Sequence, residues 1–95
     1  MRSMSLPDYP KQRDDIHTRV VEGEAVLLDR QKDLIHQLNS TATHVWNCCD
    51  GRTSLTEIAT QLAEAFDVPK EIATQDLTTV IQQFHDLHLL MYNSE

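Results

Sequence analysis

The hydrophobic pattern of this chain changes period once, across Leu38-Asn39-Ser40-Thr41-Ala42-Thr43-His44-Val45-Trp46. Before that stretch it has the period of strands. Ile16, Thr18 and Val20 alternate with His17 and Arg19, and Ala25-Val26-Leu27-Leu28-Asp29 follows Glu22-Gly23-Glu24. This is a hairpin pattern in which Gly23 supplies the positive φ of the turn. After the polar break Arg30-Gln31-Lys32-Asp33 a third strand is predicted at Leu34-Ile35-His36-Gln37-Leu38, with Leu34, His36 and Leu38 on one face and Ile35 and Gln37 on the other. Connections this short favour an antiparallel meander of order 1-2-3, which leaves the third strand at an edge with unpaired backbone groups.

After the switch the pattern is helical. Residues 39–41 are capping types, Ala42, Val45, Trp46 and Cys49 recur at i, i+3, i+4 and i+7, and Asp50-Gly51 stops the run. Ser54 and Glu57 form a capping box ahead of Leu55, Ile58, Ala59, Leu62, Ala63 and Phe66, one stripe lasting three turns. Asp67-Val68-Pro69 breaks and restarts the chain, because Pro69 suits a first helical turn and disfavours helix in the residue before it. Ala73, Leu77, Val80, Phe84 and Leu87 then predict a third helix of about five turns. Leu89-Leu90-Met91-Tyr92 reads as a short extended or irregular tail. The fold class expected is α+β and winged-helix-like, a three-stranded antiparallel sheet followed by three helices.

Residues 1–13 mix Ser, Pro and charge without a period, so they are expected to form a flexible arm ahead of a single domain over residues 14–92. With 95 residues, 40% hydrophobic and 24% charged, the chain has the composition of one small globular core. The 8 Lys and Arg against 15 Asp and Glu give a formal charge of -7, which opposes a phosphate backbone or an anionic lipid surface. No apolar run approaches the roughly 20 residues that span a bilayer, and residues 1–10 lack the apolar run of an export signal, so the default expectation is a cytoplasmic location.

Catalytic and metal chemistry are poorly provided for. His85 and His88 stand at i and i+3, but His17, His36 and His44 are scattered and the spacing is not a zinc pattern. Cys48 and Cys49 are adjacent and expected to be reduced, with Cys49 a small buried hydrophobe. A nucleophilic Cys-His pair needs an activating environment and a substrate pocket, for which one small core leaves little room, so no enzyme activity is expected. Asp14-Asp15 reads as solvated charge, and Trp46 is expected in the core against the second and third helices.

The order and spacing of several short pieces resemble the PqqD-like family, whose fold is shared by the precursor peptide recognition elements of ribosomally synthesised, post-translationally modified peptides (RiPPs). These pieces are residues 22–29, Leu38-Asn39-x-Thr41-Ala42-x-x-Val45-Trp46, Asp50-Gly51-x-x-x-Leu55-x-Glu57-Ile58-Ala59, Phe66-Asp67-Val68 and Asp76-Leu77. A lasso-peptide leader-binding protein has a very similar pattern. The resemblance implies a peptide chaperone that binds the leader of a precursor peptide by strand addition on the third strand, beside the third helix. It then presents the leader to a modifying enzyme, which for PqqD itself is a radical-SAM enzyme of pyrroloquinoline quinone biosynthesis. No cofactor is implied in the module. The chain departs from the family in three places: Asp33 and His88 stand where relatives often carry Gly, and an aromatic is replaced around Ile35-His36.

The residues by themselves support the same mode, since an exposed edge strand can pair with an extended peptide while neighbouring pockets select side chains. The candidate peptide-binding residues are Leu34, Ile35, His36, Gln37 and Leu38 on the strand, with Ile72, Gln75, Asp76, Thr79 and Gln83 on the flank of the third helix. Ile35 and Ile72 are expected to give apolar contact, and Asp76 to pair with a leader Lys or Arg. Two rivals differ in class. A winged-helix DNA-binding regulator would place the third helix in the major groove, yet residues 70–87 hold one Lys and no Arg against Glu71, Asp76 and Asp86. A protein-interaction subunit, or a homodimer through paired edges, would use the same strand without a precursor peptide.

Overall fold

The computed structural model describes residues 8–91. Its elements run β1 (Lys11–Gln12), β2 (Ile16–Val21), β3 (Glu24–Asp29), β4 (Leu34–Gln37), α1 (Ser40–Cys48), α2 (Leu55–Phe66), α3 (Lys70–Asp86) and β5 (Leu90–Met91). The main sheet is the antiparallel meander β2-β3-β4, so β4 is the third strand expected from the sequence and lies at an edge. Glu22 and Gly23 both have positive φ, 53° and 83°, which turns β2 tightly into β3. The register Thr18↔Leu27↔His36 and His17↔Leu28↔Ile35 then fixes which side chains share a face.

One face of the sheet carries the core. Ala25, Leu27 and Asp29 of β3 are fully buried, whereas Val26 and Leu28 between them are only partly covered. The helices add Val45, Trp46, Ile58, Leu62, Ile81 and Phe84 to that core. Trp46 stands edge-on to Phe84 of α3, with ring centroids 5.3 Å apart, and its indole N–H donates to the Thr18 hydroxyl of β2 at 3.0 Å. A buried indole needs such a partner, and this one ties α1 to the sheet.

The turn from β4 into α1 is made by short polar side chains. Asn39 Oδ1 accepts the Ala42 N–H at 2.8 Å, capping α1. Thr43, also buried, accepts the Ala25 N–H on its hydroxyl at 2.8 Å, taking over the ladder where β4 has ended. The α2 capping box is complete, with Ser54 Oγ accepting from Glu57 N–H at 3.1 Å and Glu57 Oε1 from Ser54 N–H at 3.2 Å.

The N-terminal arm expected over residues 1–13 requires correction within its described part. Pro10 is buried, and β1 pairs with β5 in the register Lys11↔Met91 and Gln12↔Leu90. Leu55 N–H donates to Asp8 C=O, Gly51 N–H to Pro10 C=O and Gln12 N–H to Cys49 C=O, so this segment stitches the ends of α1 and α2. Main-chain bonds leave no hydrophobic period, which is why the segment looks loose in the sequence. The tail, expected to be extended or irregular, is strand at Leu90–Met91. Residues 1–7 of the arm, and Tyr92, lie outside the described residues.

Arg13 completes this corner. Its guanidinium bridges Asp15 at 2.7 Å and Asp29 at 3.0 Å and donates to His88 C=O at 2.9 Å. Hydrogen bonds from Arg13 hold both carboxylates below their ordinary range, and in turn they raise the Arg13 pKa further. Among the described residues no helix is long and apolar enough to cross a membrane.

Candidate peptide-binding groove

β4 pairs with β3 on one side only. The Leu38 N–H donates to Ala25 C=O at 2.8 Å, and because bonding direction alternates along an antiparallel strand, Leu34 and His36 also face β3. Ile35 and Gln37 therefore turn their N–H and C=O groups to the open edge. Both side chains are exposed, Ile35 by 70%.

Beside this edge runs a groove of about 530 Å³, walled by Ile35, His36, Gln37 and Leu38 on one side and by Gln83, Phe84, Asp86 and Leu87 on the other. That is within the range of sites that hold several ligand side chains. Leu38 and Phe84 are buried and form an apolar floor, while Leu87 remains 39% exposed. His36, partly buried, lines the same wall, and its Nε2 is buried without a hydrogen-bond partner among the described residues. Asp86 sits at the rim and accepts from Gln82 Nε2 at 3.1 Å. A second hollow continues along α3 past the shared Gln83, lined by Asn39, Thr41, Asp76, Thr79 and Val80.

The structure thus brings together Ile35, His36, Gln37, Leu38 and Gln83, with Asp76 and Thr79 one step along the same helix. It does not bring Ile72 or Gln75 to the groove. Gln75 borders a shallow hollow with Lys70, Glu71 and Thr74, and Ile72 is 43% exposed near the start of α3. Both lie toward the start of α3, whereas the groove beside β4 is walled by residues 83–87. Leu34 is exposed and lines none of the hollows along α3. Phe84, Asp86 and Leu87 are wall residues that the sequence reading did not assign to the site. Phe84 and Leu87 were visible as the last members of the apolar stripe on α3, where a stripe running beyond its cover becomes a binding wall.

The two thiols lie elsewhere. Burial pushes the Cys49 thiol up to about 12, and burial together with Asp50 raises Cys48, whose Sγ lies 3.3 Å from Gln61 Oε1. Neither is poised as a nucleophile. Among the described residues no group of three or more His, Cys, Asp or Glu side chains is placed to hold a metal ion.

Comparison with known proteins gives this geometry a context. The fold is similar to TbiB1 in complex with the TbiA(beta) leader peptide, with a TM-score of 0.78 and 19% identity over 90% of this chain and 99% of that one. It is similar to lasso peptide synthetase B1 complexed with its leader peptide, with a TM-score of 0.74 and 24% identity over 88% of this chain and 99% of that one. The solution structure of the PqqD truncation of Methylobacterium extorquens PqqCD, a stand-alone RiPP recognition element, matches with a TM-score of 0.72 and 22% identity over 95% and 96% of the two chains. No curated protein sequence matches the chain. The family profile described as coenzyme PQQ synthesis protein D (PqqD) matches residues 24–90, well over half of the sequence, and the chain belongs to the PqqD family.

Proposed function

We propose that the chain is a non-catalytic peptide-binding module that takes the leader of a ribosomally made precursor peptide as an added strand on β4 and presents it to a modifying enzyme. The observation that carries this reading is the open backbone of Ile35 and Gln37 directly beside an apolar-floored groove on α3, in a member of the PqqD family. Backbone bonds of about 0.5 to 1.5 kcal/mol each would supply affinity without sequence preference. Selectivity would come from the groove: an apolar leader residue over Leu38, Phe84 and Leu87, and Lys or Arg near Asp86 or Asp76. Two solved structures of similar fold are each in complex with a leader peptide, which supports this reading.

The modifying enzyme is a separate partner, of the radical-SAM class if the pathway is that of pyrroloquinoline quinone. The module itself needs no cofactor for this task. Isotope-edited NMR with the leader of a precursor encoded beside this chain tests the reading. Backbone shifts are expected to concentrate in residues 34–38 and 83–87. Shifts confined to residues 54–66 would overturn it.

A further inference from the structure

The groove uses only one side of the sheet edge. On the other side the register lines up His17, Leu28 and Ile35 across three strands, and Arg19 beside Val26. Together with Arg30 these residues line an open hollow on the face turned away from the helices. Val26 and Leu28 are half-buried there and Ile35 is 70% exposed, so the centre of the face is apolar. Its rim is basic in a chain of net charge -7. Lys11 and Arg13 are both held in ion pairs, whereas Arg19 and Arg30 are exposed and in none among the described residues. Glu24 lies toward the hairpin end of the face and accepts from Gln37 Nε2.

Resting on the strand-addition reading above, we infer that this bare sheet face is the docking surface for an acidic, apolar-centred patch on the modifying enzyme, and that the bound leader completes it. Side chains of an added strand alternate between the two faces of the sheet. Half of the leader side chains along β4 would enter the groove and be hidden. The other half would emerge beside Ile35, widening the apolar centre from two strands to three. The enzyme would then meet a surface made jointly by module and leader, and would bind the loaded module more tightly than the empty one.

Charge decides between occupants. An isologous dimer through this face would set its basic rim against the same rim of the second copy, with like charges opposed. A nucleic acid or an anionic membrane would be repelled by the rest of the surface and would leave Ile35, Leu28 and Val26 facing phosphates. An acidic protein patch with an apolar centre satisfies both the rim and the middle.

The test is a titration of the modifying enzyme encoded beside this chain against the full chain, with and without leader, followed by fluorescence anisotropy. The leader should tighten enzyme binding. The double variant Arg19→Glu/Arg30→Glu should weaken enzyme binding by about tenfold or more while leader affinity stays within about twofold. Unchanged enzyme affinity in that variant would overturn the inference. So would preserved enzyme affinity accompanied by loss of binding to a short DNA duplex, loss of binding to phosphatidylglycerol–phosphatidylcholine vesicles, or loss of a dimer in sedimentation. If the leader itself fails to bind the unaltered chain, the strand-addition reading fails instead, and the two failures are separable.

Discussion

Arg13 Nη1 and Asp29 Oδ2 stand 3.0 Å apart, joining the N-terminal segment to the last residue of β3. Asp29 Oδ1 also accepts from the N–H groups of Gln31 and Lys32, so one carboxylate ends a strand, shapes the turn into β4 and receives the cation. The folded-state pKa values of Asp29 and Asp15 are lowered by Arg13 from an ordinary 3.8. Stability from a lowered carboxylate is fully present above the unfolded value and is lost as pH falls through the folded one. Urea midpoints should hold above about pH 5 and fall progressively below about pH 4. In Arg13→Met the fold should be weaker near neutrality and lose less on acidification. An acid response equal to that of the unaltered chain would shift the explanation to Asp50, whose lowered pKa comes first from the Arg52 N–H.

Proline substitutions along β4 should separate binding from folding. Ile35→Pro and Gln37→Pro remove N–H groups that face the open edge, which edge strands tolerate. Each should weaken leader binding by about tenfold or more at a modest cost in melting temperature. His36→Pro removes an N–H that faces β3 and should destabilise the fold itself. Calorimetric titration combined with thermal melts reads both quantities. Equal effects from Ile35→Pro and His36→Pro on stability would contradict the assigned bonding directions.

On α3, Leu87→Asp should abolish most leader binding, whereas Ile72→Asp and Gln75→Ala should leave it within about twofold, because only Leu87 borders the groove beside β4. Asp86→Asn and Asp76→Asn should weaken binding of a leader that carries Lys or Arg, and adding salt should shrink the difference.

Asp33, with φ 57°, and His88, with φ 59°, are both left-handed. A side chain in that region is strained by about 1 kcal/mol, least for Asp. His88→Gly should therefore raise stability by roughly 0.5 to 1 kcal/mol, with Asp33→Gly giving less. Chemical denaturation checks both, and a loss of stability in His88→Gly would mean that its side chain contributes more than its backbone costs.

Thiol chemistry offers an independent check of the core. Cys49 is fully buried and its pKa is raised to about 12, so it should resist alkylation in the native state. Cys48, half-buried, should react slowly at mildly alkaline pH. Mass spectrometry of the labelled chain should find one modified site before unfolding and two after. Early labelling of Cys49 would contradict the packing of α1.

Period alone placed the meander and the three helices, since Leu27 between Val26 and Leu28, or Ile58 and Leu62 on α2, must bury one side and expose the other. The same logic marked β4 as an edge. What it left out was carried by groups without a hydrophobic signature: the main-chain bonds from residues 8–13, the Thr43 hydroxyl on Ala25, and the Arg13 pair. Likewise, helical spacing named the exposed flank of α3 but not where β4 crosses it. That depends on the three-dimensional path from Leu38 through the Asn39 cap, which sets β4 beside Phe84 and Leu87 rather than beside Ile72 and Gln75.

The pairing of Lys11 with Met91 has a consequence for how such a module can be carried. Entry and exit of the described chain lie side by side on one small two-stranded ribbon, so the domain hangs from a single attachment point. A longer polypeptide could host it between two loops, or string it at either end, without prising open the meander. The whole module, ribbon included, would then swing as a unit on the linking chain beyond it, giving a substrate held on β4 reach over a neighbouring catalytic domain.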